Sequence, residues 1–388
     1  MTQSKRRRLL FIQLISTQNL IVPIKVLFYL HFFNSLSAIS LYKTFMILAA
    51  FVMEIPSGYL AGKYGNKLTY VASKYLMILA LLLNLFSPNF IGFILANLMA
   101  GIAAAFDTGS GHTYFLKLAA TYHFNYDQII IDYAKWSNLV ALGLTLVSSV
   151  LYAVNIYVPF IITLFFYVAA IIALARLPKE VPTPLARDQT VKKITVQVIK
   201  QLLGEKQVVY LLVIYAINTS LLISNFDYYA VFFKNLGIPT KLFGAIFATF
   251  SILGILGVKV FEKATHPLLT QALITLLLPL TFVGIYRQHL ILVLFSIVIQ
   301  QIIYGLQNVN YNVSVINSIE NLQTSAYYQS IISVTNTIIR ILLTGAFTLL
   351  LSRLRLPVLF NLIGLSLFII NALYWVVLAK LKKEQSAG

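Results

Sequence analysis

Residues 156–176 read IYVPFIITLFFYVAAIIALAR, and residues 177–206 continue LPKEVPTPLARDQTVKKITVQVIKQLLGEK. The first stretch holds a single charge, Arg176, at its end. Its length is that of a helix crossing a hydrocarbon core of about 30 Å, which takes about 20 mostly apolar residues. The second stretch holds Pro178, Pro182 and Pro184, many charges, and apolar Ile194, Val198 and Leu202 at helical spacing. That composition predicts a cytoplasmic linker ending in a helix along the membrane surface. A span that stops at a long charged linker divides the chain near its middle.

The same criterion, applied outward from this point, predicts twelve spans. Before the linker they fall at 9–33, 39–62, 68–86, 90–116, 128–152 and 156–176. After it they fall at 207–233, 240–261, 267–286, 289–315, 325–351 and 356–379. Turn chemistry at Ser87-Pro88-Asn89, Leu236-Gly237-Ile238-Pro239 and Leu356-Pro357 supports the breaks. The two halves also echo each other: Phe32-Phe33-Asn34-Ser35-Leu36 corresponds to Phe232-Phe233-Lys234-Asn235-Leu236, and Phe51 precedes Gly58 as Phe250 precedes Gly257. The expected fold is an all-α membrane protein with twelve transmembrane helices in two pseudo-symmetric six-helix bundles. Its expected divisions are a first bundle at 1–176, a cytoplasmic linker at 177–206 and a second bundle at 207–388.

Composition agrees. Of 388 residues, 59% are hydrophobic and 10% charged, and the mean hydropathy is +0.85. Soluble domains carry about 25% charged residues, and a single core stops growing near 250–300 residues. Lipid is therefore the expected solvent. Cysteine is absent, which excludes disulfides, thiolate metal sites and cysteine nucleophiles. No phosphate loop, zinc spacing or nucleotide fingerprint is present, so no cofactor, metal or direct ATP coupling is expected.

The net charge of +18 lies in short tracts between apolar runs, which argues against a nucleic-acid surface. Lys5-Arg6-Arg7-Arg8 precedes an apolar run with no small-residue cleavage site, which predicts a retained first helix. With the N-terminus inside, cytoplasmic loops hold about three times as many Lys and Arg as external ones. Both termini are thus expected in the cytoplasm of a multi-pass cell-membrane protein.

Between the second and third spans stands Gly58-Tyr59-Leu60-Ala61-Gly62-Lys63-Tyr64-Gly65-Asn66-Lys67. It resembles the signature loop of the major facilitator superfamily, G-x-L-a-D-r-x-G-r-k, at Gly58, Leu60, Ala61, Lys63, Gly65 and Lys67. Glu54-Ile55-Pro56-Ser57 before it is similar to the second-helix end of bacterial efflux-type branches. The resemblance implies a secondary transporter with a substrate cavity lined by spans one, four, seven and ten. Departures accompany it. Gly62 stands where the family has aspartate, Asn97 where the fourth-helix antiporter pattern has arginine, and Gly143 lacks the proline of the fifth-helix motif.

Ionisable residues inside spans are functional candidates by default. Glu54, Lys74 and Asp107 fall at similar depth toward the cytoplasm and are expected to form an inner cluster. Glu54 and Asp107 are the candidates for proton coupling. Lys25, Asp227 and Arg340 fall nearer the outside and are candidates for a charge-paired gate. Amides in the spans need partners in lipid, which makes Asn218, Asn225, Gln300, Gln301, Gln307 and Asn308 candidates for the cavity lining. Span one adds Gln13, Ser16, Thr17, Gln18 and Asn19.

The reading that follows is a secondary active transporter, not an enzyme. It would move a small organic molecule by alternating access, coupled to protons, with efflux the favoured direction. Its expected partners are substrate, protons and bilayer, with no nucleic acid, and a monomer is expected. A lipid or lipid-linked sugar flippase is the alternative. A membrane-embedded transferase is weaker still, since Asp127 and Asp132 near His123 are its only candidate acids.

Overall fold

The computed structural model describes residues 2–122, 126–178, 206–263, 267–317 and 325–387. Every regular element among them is helical. Helices α1 (Thr2–Thr17) and α2 (Lys25–Phe32) come first. Next are α3 (Leu36–Tyr64), α4 (Asn66–Phe86), α5 (Phe90–Thr121), α6 (Tyr126–Val154) and α7 (Val158–Ala175). In the second half of the chain come α8 (Lys206–Asn235), a 3-10 turn at Thr240–Leu242, α9 (Phe243–Lys263) and α10 (Pro267–Tyr286). The last three are α11 (Leu290–Asn317), α12 (Ser325–Leu351) and α13 (Leu356–Ala387). The surface helix expected around Ile194–Leu202 lies outside the described residues.

Eight of these helices contain a stretch long and apolar enough to cross a bilayer, and Leu212–Phe226, Thr240–Gly254 and Thr270–Tyr286 are shorter apolar stretches. Large apolar side chains such as Phe86, Val154, Ile291 and Leu349 point outward and are strongly exposed. Water would not tolerate so much apolar surface; lipid does. With α1 and α2 counted as one interrupted segment, the described residues hold twelve helical segments, six before residue 178 and six from Lys206 onward.

That interruption corrects the expectation of a continuous first helix over 9–33. The chain leaves the helix after Thr17 and re-enters it at Lys25. Pro23 explains the break, because it has no N–H and its ring clashes with the carbonyl four residues back. Neighbouring side chains satisfy the freed backbone. Ile21 N–H donates to Asn19 Oδ1 at 2.7 Å, Leu20 N–H donates to Thr163 Oγ1 at 3.3 Å, and the Ser148 hydroxyl donates to the Leu20 carbonyl. Irregular backbone at membrane depth persists only when buried in protein or lining a cavity, and here most of it is buried.

The chain groups into two compact units, Met1–Ala186 with Pro239–Ala248, and Arg187–Ile238 with Thr249–Gly388. In the first, α3 and α4 pack on α5, and α4 and α1 on α7. Its core joins Leu9, Ile12, Tyr70, Tyr114, Phe115 and Leu174. An aromatic knot around Phe28, Phe160, Tyr29 and Phe93 closes its other end, with ring centroids 4.1 Å apart for Phe28–Phe160 and 4.6 Å for Tyr29–Phe93. Within the same unit the Ser149 hydroxyl on α6 donates to the Lys241 carbonyl at 3.1 Å and accepts from Gly244 N–H at 2.9 Å. In the second unit α10 packs on α13 and α11, and α8 on α12.

The signature loop is a single residue, Gly65, between α3 and α4. Its φ of +94° is one that glycine adopts without strain, and its N–H closes α3 on the Ala61 carbonyl at 2.9 Å. Lys67 follows in the first turn of α4. Its ammonium donates to the Leu177 carbonyl at 2.6 Å and to Ala175 at 3.3 Å. A cation on the last carbonyls of α7 satisfies groups the helix leaves open and complements its dipole.

Candidate functional site

Tyr70, Ser73 and Lys74 share one face of α4, because residues three and four apart are helical neighbours. Lys74 is only 3% exposed. An ammonium so enclosed has lost its water, a penalty of several kcal/mol unless a partner offsets it. Asp107 on α5 is that partner: its Oδ1 takes the Lys74 ammonium in an ion pair and lies 3.3 Å from Ser73 Oγ, whose proton goes chiefly to the Tyr70 carbonyl at 2.7 Å. The ammonium lies 4.3 Å from the Tyr70 ring centroid and 6.0 Å from that of Tyr167, within cation–π range. Gly111, one turn beyond Asp107, lets the Tyr70 ring lie against α5, since a Cβ there would stand 2.6 Å from Tyr70 Cε2.

Beside the pair is a cavity of about 150 Å³, lined by Gln13, Thr17, Tyr70, Asp107, Thr108, Gly111, Phe115 and Tyr133. Lys74 is not in the lining, so the cavity meets the carboxylate and not the ammonium. Asp107 Oδ2 has no hydrogen bond among the described residues, and the side chain is 34% exposed. Four helices supply these groups: α1, α4, α5 and α6. The interrupted stretch of the first span begins directly after Thr17, so the broken backbone borders the cavity. Interrupted transmembrane helices recur at binding sites of carriers for this reason.

A hydrogen-bond network fixes the wall. Ser16 Oγ–H donates to the Gln13 carbonyl at 2.8 Å, so the 2.6 Å contact between Ser16 and Tyr70 has Tyr70 as donor. Tyr133 OH donates to Thr17 Oγ1 at 3.0 Å, and Thr17 in turn donates to the carbonyls of Gln13 and Leu14, each at 3.1 Å. Gln18 Nε2 donates to Ser137 Oγ at 3.0 Å. Near the chain's start, Arg6 on α1 pairs with Asp132 on α6. Among the candidate transferase acids, Asp132 is thereby part of an ion pair, and the side chains of Asp127 and His123 lie outside the described residues.

The structure joins Lys74 with Asp107 but not with Glu54. Glu54 is exposed on α3 and has no ion pair among the described residues. The face of α3 that meets α5 carries Met46 and Ala49, against Gly101. Glu54, five residues past Ala49, is rotated about 140° from it at 3.6 residues per turn. Lys25 on α2 donates to Asn97 Oδ1 at 2.9 Å and lies 5.6 Å from the Tyr29 ring centroid. Asn97, at the position where the antiporter pattern has arginine, also donates to Tyr29 OH at 2.9 Å. The Asp227 side chain lies outside the described residues, and Arg340 is half-buried on α12.

The amides of the second unit divide. Asn218 and Asn371 exchange hydrogen bonds at 3.0 and 3.1 Å, and Gln271 Nε2 adds a third at 3.2 Å. Gln300 accepts from Tyr229 OH and donates to Thr281 Oγ1 at 2.9 Å. These groups stitch α8, α10, α11 and α13 together. Asn225 is fully buried with neither polar atom bonded, and Gln307 keeps an unpaired oxygen, among the described residues. Gln301 is half-buried, and the Asn308 side chain lies outside the described residues. Sequence reasoning missed Tyr70, Tyr133 and Tyr167. The one available signal was Tyr70 at i−4 from a lysine inside a span.

Among the described residues, the helices apolar enough to cross a bilayer fall in two units, and a buried charge pair beside a cavity lies in the first of them. The chain belongs to the Major Facilitator Superfamily, whose sequence description matches residues 9–344. Among solved structures it is similar to the nucleoside transporter NupG, at 11% identity and a TM-score of 0.78, covering 96% of this chain and 98% of that one. It is also similar to the xylose transporter XylE from E. coli, at 14% identity and a TM-score of 0.66, covering 97% and 96%. A POT family transporter crystallised with 5-aminolevulinic acid gives 12% identity and a TM-score of 0.68, covering 96% of each chain. At these identities the likeness is one of fold. Curated protein sequences give no significant match.

Proposed function

We propose that this chain is a proton-coupled secondary carrier of a small organic molecule, with Asp107 as the group that takes and releases the proton. The observation that carries the reading is the Lys74–Asp107 pair, buried on its lysine side and open to a cavity on its carboxylate side. An ion pair held only for packing would satisfy both oxygens. Here one oxygen is held and the other is left to the cavity. Protonation of Asp107 would loosen Lys74, and the network through Tyr70, Ser16 and Gln13 would pass that change to the broken first span. The bundles at 1–176 and 207–388, joined by the linker 177–206, are the proposed moving halves of a monomer with both termini in the cytoplasm. The likeness of Glu54-Ile55-Pro56-Ser57 to efflux-type branches favours outward movement. Glu54, exposed on α3, is the second proton candidate.

The test is internal pH in sealed proteoliposomes holding the purified protein while candidate solutes are added outside. Solute-dependent proton movement that is lost in Asp107→Asn and kept in Glu54→Gln supports the reading. Solute flux with no proton movement would overturn the coupling.

A further inference from the structure

The hydroxyl protons around the cavity already have acceptors inside the protein. Tyr70 donates to Ser16, Ser16 to the Gln13 carbonyl, Tyr133 to Thr17, Thr17 to Gln13 and Leu14, and Thr108 to the Ala105 carbonyl at 3.3 Å. What these groups turn to a ligand is therefore lone pairs. Asp107 adds an unused carboxylate oxygen. Gln13 is nine-tenths buried, and its Oε1 has no partner among the described residues. An orphaned amide oxygen of this kind carries a penalty of about 1–3 kcal/mol. The amide torsion of glutamine is broad and roughly two-fold, so a half-turn presents that oxygen to a ligand donor in the cavity and turns the amide nitrogen inward. The Gln13 amide nitrogen is the only side-chain donor in the lining without an acceptor among the described residues. Among the described residues the wall is acceptor-rich and donor-poor, with the Asp107 carboxylate in the lining and its counter-charge, Lys74, behind and outside it.

We propose that this cavity takes a compact organic ammonium ion, which donates N–H bonds to Asp107 and Gln13 beside the rings of Tyr133 and Phe115. Anions fail on two counts, meeting a carboxylate and finding almost no donors among the described residues. Neutral polyols can donate but gain nothing from the charge. A cavity of about 150 Å³ holds a molecule about the size of benzene, so the ligand, or the part of it seated here, is small. The inference rests on the transport reading only in taking this cavity as the substrate site, and the two can fail separately.

The experiment is calorimetric titration of the purified full-length chain in detergent with four probes of similar size. They are n-butylammonium, tetramethylammonium, butane-1,4-diol and butyrate. Saturable binding is expected for n-butylammonium, and binding about tenfold weaker for tetramethylammonium, which has charge but no N–H, a difference of 1.4 kcal/mol. The diol and butyrate are expected not to bind. Gln13→Met is expected to weaken n-butylammonium about tenfold, while Gln13→Glu, which keeps an acceptor, retains or tightens it. Equal binding of the diol, binding indifferent to both Gln13 variants, or binding of none of the four would overturn the proposal. Binding of n-butylammonium as expected, without any movement of it in proteoliposomes, would leave the ligand class standing and sink the transport reading. Asp107-dependent proton movement driven by the diol or butyrate would do the reverse.

Discussion

Two of the polar clusters among the described residues, one in each unit, answer the same physical demand differently. At Asn218, Asn371 and Gln271 in the second unit, neutral amides bond one another and leave Asn371 Oδ1 accepting twice. At Lys74 and Asp107 in the first unit, two charges are joined through one carboxylate oxygen, and the other is left beside a cavity. Polar groups in lipid must find partners in either case. The first arrangement is closed and behaves as an adhesive between helices. The second is open, and the proposed proton and solute role rests on that incompleteness.

Substitutions separate the two. The largest effect is expected for Asp107→Leu, which strands the Lys74 ammonium: about 3 kcal/mol of stability lost, measured as thermal melting in detergent. Adding Lys74→Met to it should recover most of the melting temperature but none of the proton movement, because well-packed apolar replacements of an ion pair are often neutral in stability. Gly111→Val comes next. Its side chain meets the Tyr70 ring, which is fully buried and cannot yield, so a loss of about 1–3 kcal/mol is expected from overpacking, together with impaired transport. Asn218→Leu should cost about 1–2 kcal/mol, through hydrogen bonds left unmade on Asn371, with transport kept. Lys67→Ala should be smallest, about 0.5 kcal/mol from the C-terminal carbonyls of α7, read by the same melting assay.

The contrast also explains what could be read in the chain beforehand. Helix positions follow hydropathy directly, and the expected span at 68–86 meets α4 at Asn66–Phe86. Lys74 and Asp107 announce themselves as charges where lipid should be. Three things were hidden. The interruption after Thr17 was masked because Leu20, Ile21, Val22 and Ile24 keep the stretch apolar while Pro23 and the side chains of Ser148 and Thr163 decide its backbone. Glu54 was expected at the depth of Lys74, but its direction was not legible, since rotation of α3 about its axis is set by the residues it packs against, Met46 and Ala49 against Gly101. The tyrosines are hidden by number: 23 occur, and only tertiary contact selects Tyr70, Tyr133 and Tyr167. In the second unit, composition marks Asn218 and Asn225 alike, yet one is fully bonded and the other is not.

The comparison is tested most directly by measuring solute-driven proton movement in proteoliposomes of Asp107→Asn and Asn218→Leu side by side, each first shown to be monodisperse. The account predicts that Asp107→Asn, which keeps an acceptor for Lys74 but no exchangeable carboxyl proton, loses the proton signal while Asn218→Leu retains it. A proton signal intact in Asp107→Asn, or lost equally in both, would contradict the assignment of the open cluster as the working site.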